Sequence, residues 1–266
     1  MWIREFWWSL VFVLCGMCGQ AGAVGNPAPE FEMEVKGRIE IGPEGHVLSY
    51  TIDDSKVTQA AVKTLVRKAV DSWRFEPIID NGKPVIGMTG MSLTLSAIPD
   101  GDAYLMRVDG VYFGTASPSN LKSPEYPSDL ARQGVSGQVV LVLRLDAEGR
   151  VTKVHVERTD LGRVGPAKTM GRWRRGFEDV AMEAARGWQF DPVEVFDGKP
   201  VAGDVRIPVS FQFYGTKWAK LYRGESTLAP WLTEKHLARN DELPGDRPVS
   251  IDSHFKLLSD VIGTML

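Results

Sequence analysis

The chain has 266 residues, 43% of them hydrophobic and 24% charged, which suits two small folded domains better than one minimal domain or a disordered chain. A formal charge of -3 and a pI near 5.9 supply no field for gathering phosphate, so nucleic acid and anionic membrane are excluded as general partners.

Residues 1–23 read as a signal peptide. After Arg4 an apolar run extends from Phe6 to Cys18, and Gln20 then precedes Ala21-Gly22-Ala23, a small-x-small cleavage pattern. The run is shorter than the roughly 20 apolar residues of a spanning helix. Cleavage after Ala23 is therefore expected, with an uncleaved membrane anchor as the alternative. Both cysteines, Cys15 and Cys18, lie in this run, so the mature chain depends on no disulfide.

In residues 31–98, Val35, Ile39 and Ile41 lead to Pro43-Glu44-Gly45, and Val47 to Ile52 returns, which predicts a hairpin. Val62, Leu65, Val66, Ala69, Val70 and Trp73 then share one face of a helix. Trp73-Arg74-Phe75-Glu76-Pro77 follows, and Pro77 disfavours helical geometry just before it, so the chain extends there. Asn81-Gly82 supplies the positive φ of a turn, and Met91, Leu93, Leu95 and Ala97 alternate as a strand. Residues 99–122 read as a connector.

The same pattern recurs in residues 123–214. Val139, Leu141, Leu143 and Leu145 alternate, Asp146-Ala147-Glu148-Gly149 turns, and Val151 to Val156 returns. Phe177, Val180, Ala181, Ala184, Ala185 and Trp188 repeat the helical stripe, followed by Trp188-Gln189-Phe190-Asp191-Pro192, Asp197-Gly198-Lys199-Pro200-Val201, and the alternation Ile207, Val209, Phe211, Phe213. The expected fold is α+β: two tandem β-β-α-β domains, each an antiparallel sheet packed on one helix, with Trp73, Phe75, Trp188 and Phe190 as structural core.

The second helix starts later after its hairpin than the first. The additional stretch from Asp160 to Arg175 carries Arg163, Lys168, Arg172, Arg174 and Arg175. It reads as a solvated basic loop, with a docking patch for acidic groups as the alternative. In residues 215–266, Trp218, Leu221 and Tyr222, then Phe255, Leu258, Val261 and Ile262, have helical spacing around a break at Leu243-Pro244-Gly245. A helical C-terminal extension is expected, packed on the domains or presented to a partner.

Catalytic and metal signatures are lacking in the sequence. His46, His155, His236 and His254 are scattered without ligand spacing, and neither a Gly-x-Ser-x-Gly elbow nor a P-loop occurs. Gly134 and Gly137 precede a strand, the wrong setting for a phosphate cradle, and Asp53-Asp54 falls at a strand end. No catalytic residue, cofactor or metal is expected.

Residues 123–214 resemble the TonB C-terminal domain family through Pro124-Glu125-Tyr126-Pro127, Ala131, Gly134-Val135-Ser136-Gly137, Gly149-Arg150-Val151, Phe177-Glu178, Ala184, Trp188 to Pro192 and Gly198 to Val201. Residues 31–98 resemble a divergent copy without the Tyr-Pro entry or the short helix suggested by Leu130 to Gln133. The resemblance implies a periplasmic, non-enzymatic module that binds proteins, among them TonB-dependent outer-membrane receptors, in outer-membrane transport or envelope assembly. The family's energy transducers carry a membrane anchor and a long Pro-rich span, of which Pro27-Ala28-Pro29 is the only trace. A genuine transducer with an uncleaved anchor is the alternative, and an envelope enzyme with a site between the copies is a third reading.

Family members accept an extended receptor segment beside the final strand. Pro208 interrupts that strand, and proline is tolerated where its missing N–H would face outward from an edge. The expected docking edge is Asp204, Val205, Arg206, Ile207, Pro208, Val209, Ser210, Phe211, Gln212 and Phe213, with Arg206, Ser210 and Gln212 sharing the outward direction of Pro208. Thr89 to Ala97 is the reserve edge. Pairing of two copies through exposed edges stays open.

Overall fold

The computed structural model describes residues 31–53, 60–101, 103–213, 220–233 and 248–266. The signal peptide, both cysteines, Pro27 to Pro29, Trp218, His236 and the break at Leu243-Pro244-Gly245 lie outside them.

The first unit opens with strands β1 (Phe31–Ile41) and β2 (Val47–Ile52), then helix α1 (Ala60–Asp71), the short hairpin β3 (Ile79–Asp80) and β4 (Lys83–Pro84), and the long strands β5 (Gly87–Asp100) and β6 (Ala103–Phe113). Neighbouring strands run antiparallel in the order β2-β1-β5, with β6 beside the C-terminal part of β5. The stretch expected as a connector thus holds a full strand. Gly101, with φ of 61°, makes the turn into it, and Met106 and Val108 point into the core. Val62, Val66 and Val70 of α1 cover Val35, Ile39, Leu93 and Leu95 of the sheet. Trp73, 1% exposed, and Phe75 close the core from the helix exit, both edge-on to Phe113.

The second unit follows β7 (Pro118–Asn120). It comprises α2 (Ser128–Arg132), β8 (Gly137–Leu145), β9 (Val151–Leu161), α3 (Ala167–Ala185), β10 (Gln189–Phe190), β11 (Glu194–Phe196), β12 (Lys199–Val201) and β13 (Gly203–Phe211); β14 (Val249–Ser250) completes an antiparallel sheet in the order β14-β13-β8-β9. Phe177, Ala181 and Ala185 of α3 pack on Val139, Leu141, Leu143, Val205 and Ile207, and Trp188, 3% exposed, occupies the helix exit. The expected basic loop is mostly ordered structure: Asp160 and Leu161 end β9, and Ala167 begins α3, so Lys168 to Arg175 are helical.

The turns of the two units agree in detail. Gly45 and Gly149 both have φ of 79°, and a Cβ at either would collide with the carbonyl oxygen of Phe75 or Phe190. Asn81-Gly82 and Asp197-Gly198 both have positive φ.

The units interlock. β11 pairs with β5 at Gly87 to Thr89, so the β11-β12 hairpin of the second unit extends the sheet of the first. The reserve edge from Thr89 to Ala97 is consequently no edge, because β5 carries β1 on one side and β6 and β11 on the other. Residues 248–266 stitch the units further, and the helix expected there does not form. Its backbone groups bond elsewhere: Glu76 N–H donates to Lys256 O, Leu258 N–H to Arg74 O, Gly263 N–H to Val108 O and Leu266 N–H to Met106 O. Phe255 and Val261 are buried, while Leu258 and Ile262 remain 62% and 65% exposed, which removes the single apolar face a helix would need. Among the described residues 220–233 there is no helix either.

Candidate functional site: the outer edge of the final strand

β13 pairs with β8 along its whole length, Gly203 opposite Leu145 through Phe211 opposite Gly137. Antiparallel pairing alternates inward and outward backbone groups, and Pro208, opposite Val140, has no N–H to give to β8. Asp204, Arg206, Pro208 and Ser210 therefore turn their backbone groups outward. The structure shows this at Asp204, whose carbonyl accepts from Ile251 N–H at 2.9 Å.

Part of this edge is occupied by the chain itself. β14 pairs with Val205 and Arg206, and Pro248 O accepts from Ala116 N–H alongside. The strand ends at Phe211, so Gln212 and Phe213 lie beyond it. Among the described residues, Pro208 to Phe211 have no strand partner on the outer side. Pro208 borders a cleft of about 330 Å³ whose other wall comes from the first unit and the linking segment, with Glu34, Lys36, Thr115, Leu121 and Pro248. Among the described residues, the edge is open on its outer side over its second half only.

The side chains of the first half serve packing. The sheet's back face holds Val142 against Ala229, Ile251, Trp231 and Leu232. Arg144 makes a bidentate pair with Asp204 at 3.0 and 2.8 Å, Trp231 Nε1 donates to the same carboxylate at 3.0 Å, and the guanidinium lies 5.6 Å from the Trp231 ring centroid. The bond to Asp204 holds the Arg144 pKa above its ordinary value. A bulge in β9 leaves Glu157 as the additional residue, and the side chain meets Arg206 at 2.6 Å. Both side chains are 3% exposed, and Arg206 Nη2 has no further partner among the described residues. At the other end, Tyr126 donates its hydroxyl to Val135 O at 2.5 Å and packs edge-on against Phe177 and Phe211, where burial raises its pKa. Ser210 is exposed, and its hydroxyl accepts from Gln138 Nε2 at 3.1 Å.

A second cavity, of about 600 Å³, separates β11 and β13 from the C-terminal segment and contains Glu76, Glu194, His254 and Lys256. His254 Nδ1 lies 2.7 Å from Glu194 Oε2, and this bond raises the imidazole pKa against the opposing effect of burial. Lys256 pairs with Glu76 at 3.1 Å. These groups are engaged in ion pairs, Glu194 with His254 and Glu76 with Lys256. Sequence reasoning missed the Glu194–His254 and Arg206–Glu157 pairs because their members are far apart in the chain. Among the described residues, no group of three or more His, Cys, Asp and Glu could hold a metal ion.

Residues 122–213 match the family model described as Gram-negative bacterial TonB protein C-terminal. This segment is a TonB C-terminal domain. Protein TonB of Xanthomonas campestris pv. campestris is 38% identical over 95 residues in two strains, covering 36% of this chain and 37% of the relative. Protein TonB of Vibrio cholerae serotype O1 is 30% identical over 92 residues, covering 35% of this chain and 32% of the relative. The chain thus spans about a third of the length of the curated relatives it matches. No solved structure matches it. The match covers one domain; residues 31–113 lie outside it. No helix among the described residues is long and apolar enough to cross a membrane.

Proposed function

We propose that the chain is a periplasmic protein-binding module that accepts an extended partner segment on the outer edge of β13, from Pro208 to Phe211. The carrying observation is that this half-strand has no strand partner on its outer side among the described residues and opens into a cleft. Added strands gain affinity from such backbone groups and selectivity from the side-chain pockets beside them. The TonB C-terminal domain and the relatives named TonB support a segment of a TonB-dependent outer-membrane receptor as the partner. We read residues 31–113 as a divergent second copy, supported by the same strand order, the same helix position and the paired glycine turns.

The test is capture of outer-membrane receptors from envelope extracts by the mature protein. Ser210→Pro removes an outward N–H and is expected to abolish capture with little loss of stability. Val209→Pro removes an inward donor to β8 and is expected to unfold the domain. Capture unchanged by Ser210→Pro refutes strand addition here. The relatives' name favours a second reading, an energy transducer with a retained anchor. Mass spectrometry of the N-terminus separates the two, since a chain beginning at Val24 has no anchor.

A further inference from the structure

α3 is 19 residues long, against 12 for α1, and its added length is N-terminal. Superposed by the repeat, Ala60 at the start of α1 corresponds to Arg175, so residues 167–174 form two turns that the first helix lacks. These turns pack on α2. Trp173 Nε1 donates to Gln133 Oε1 at 3.0 Å, Arg163 donates to Gln133 O at 3.1 Å and lies 5.4 Å from the Trp173 ring centroid, and Gly176 approaches Leu130.

The outer face of these two turns and of Arg175, which follows them, carries only cationic charge. Lys168, Arg172 and Arg175 are exposed and, at spacings of four and three residues, share one helix face, with Arg163 just before it. No acidic residue occurs between Asp160 and Glu178. Lys168, Arg172 and Arg175 form no ion pair among the described residues, whereas Arg107, Arg132, Arg144, Arg150, Arg158 and Arg186 all do. The first turn contains no acid, and Pro166 gives no side-chain cap. Lys168, in the first turn, works against the helix dipole, and Lys168–Arg172 and Arg172–Arg175 are like-charge pairs four and three residues apart, which also work against helix stability. Their concentration in a chain of net charge -3 is therefore unexplained by folding.

We propose that this face of α3 docks an acidic segment of a partner protein. Beside Arg172 lies a notch of about 250 Å³ lined by Pro127, Leu130, Trp173 and Gly176 and by the polar Gln133 and Asp129, the latter paired with Arg132. Its size admits a single apolar side chain, so carboxylates flanking an apolar residue fit the cations and the notch together, which favours a peptide over a lipid surface. The charge complementarity stands without the strand-addition reading.

The experiment measures binding of two labelled probes, a peptide of Glu-Leu-Glu-Ser repeats and its Gln-Leu-Gln-Ser counterpart, to the full chain and to the K168E/R172E/R175E variant at low and high salt. The acidic probe is expected to bind in a salt-sensitive manner, the neutral probe weakly, and the variant to lose at least about tenfold in affinity. The variant is expected to melt close to the parent, because exposed charge pairs on a helix contribute only about 0.2–0.5 kcal/mol each. A melting point well below the parent's shows that the cations are structural and overturns the proposal. Equal binding of the two probes, or unchanged affinity of the variant, also overturns it. Phosphatidylglycerol vesicles are the control, and vesicle binding as tight as the peptide's and lost in the same variant assigns the face to a membrane instead. In parallel, Ser210→Pro distinguishes the two ideas: acidic-probe binding retained in that variant while receptor capture persists refutes the edge and leaves the cationic face standing.

Discussion

Replacing Trp188 with Ala tests both the packing of the second unit and its coupling to the first. The indole is 3% exposed at the exit of α3, and its Nε1 donates to Lys122 O at 2.7 Å. A Trp of this kind buries roughly 150–250 Å². At about 25 cal/mol per Å² the lost transfer free energy is about 4–6 kcal/mol less the share Ala retains, in line with the ~3–5 kcal/mol of aromatic-to-Ala changes in cores. Trp188→Phe keeps most of the volume and loses the hydrogen bond, so about 1–2 kcal/mol is expected. Urea unfolding followed by circular dichroism gives both values. Because β11 belongs to the first sheet and residues 248–266 bond to both units, one cooperative transition is expected to shift as a whole. A loss under about 1 kcal/mol in Trp188→Ala refutes the packing argument; two separated transitions, only one of them moved, refute the coupling.

Gly149→Ala forces φ of 79° on a residue with a Cβ and drives that Cβ into Phe190 O, so a loss above ~1 kcal/mol is expected in the same assay, against near neutrality for Gly203→Ala, where the added Cβ meets nothing. Arg206→Met leaves Glu157 buried and unpaired and is expected to cost about 3–5 kcal/mol, with much of it regained when Glu157→Leu is added; no recovery in the double variant argues against the charge pair as the cause. For His254, the folded pKa is raised above its ordinary 6.5, so its pair with Glu194 contributes fully below that value and is lost as pH rises through the folded pKa. The gap in stability between the parent and His254→Gln should therefore narrow from mildly acidic to alkaline pH, and a constant gap refutes the linkage.

Local pattern was sufficient for the repeated elements. The stripe from Val62 to Trp73 and its counterpart from Phe177 to Trp188 specify helices because period and burial coincide, and Asn81-Gly82 and Asp197-Gly198 specify turns because few residues accept positive φ. Pro208 marked an edge from one missing N–H. In contrast, helical spacing at Phe255, Leu258, Val261 and Ile262 misled. A short apolar pattern is weak when unpaired backbone nearby can bond to the chain instead, and Arg74, Val108 and Met106 offer such groups. Residues 99–122 read as a connector, and that they hold β6, which pairs with β5 and buries the reserve edge, is a long-range fact. Likewise, no local signal joins Glu194 to His254, Arg206 to Glu157, or β11 to the other unit's sheet. The sequence by itself determined the apolar stripes of α1 and of the C-terminal part of α3, the hairpins, the Trp-anchored cores and the kinship of residues 122–213 to TonB C-terminal domains, since each follows from neighbours along the chain. Only the tertiary structure decided how much of the β13 edge stays open and where the cations of α3 face, because both depend on which distant segments reach the same surface first.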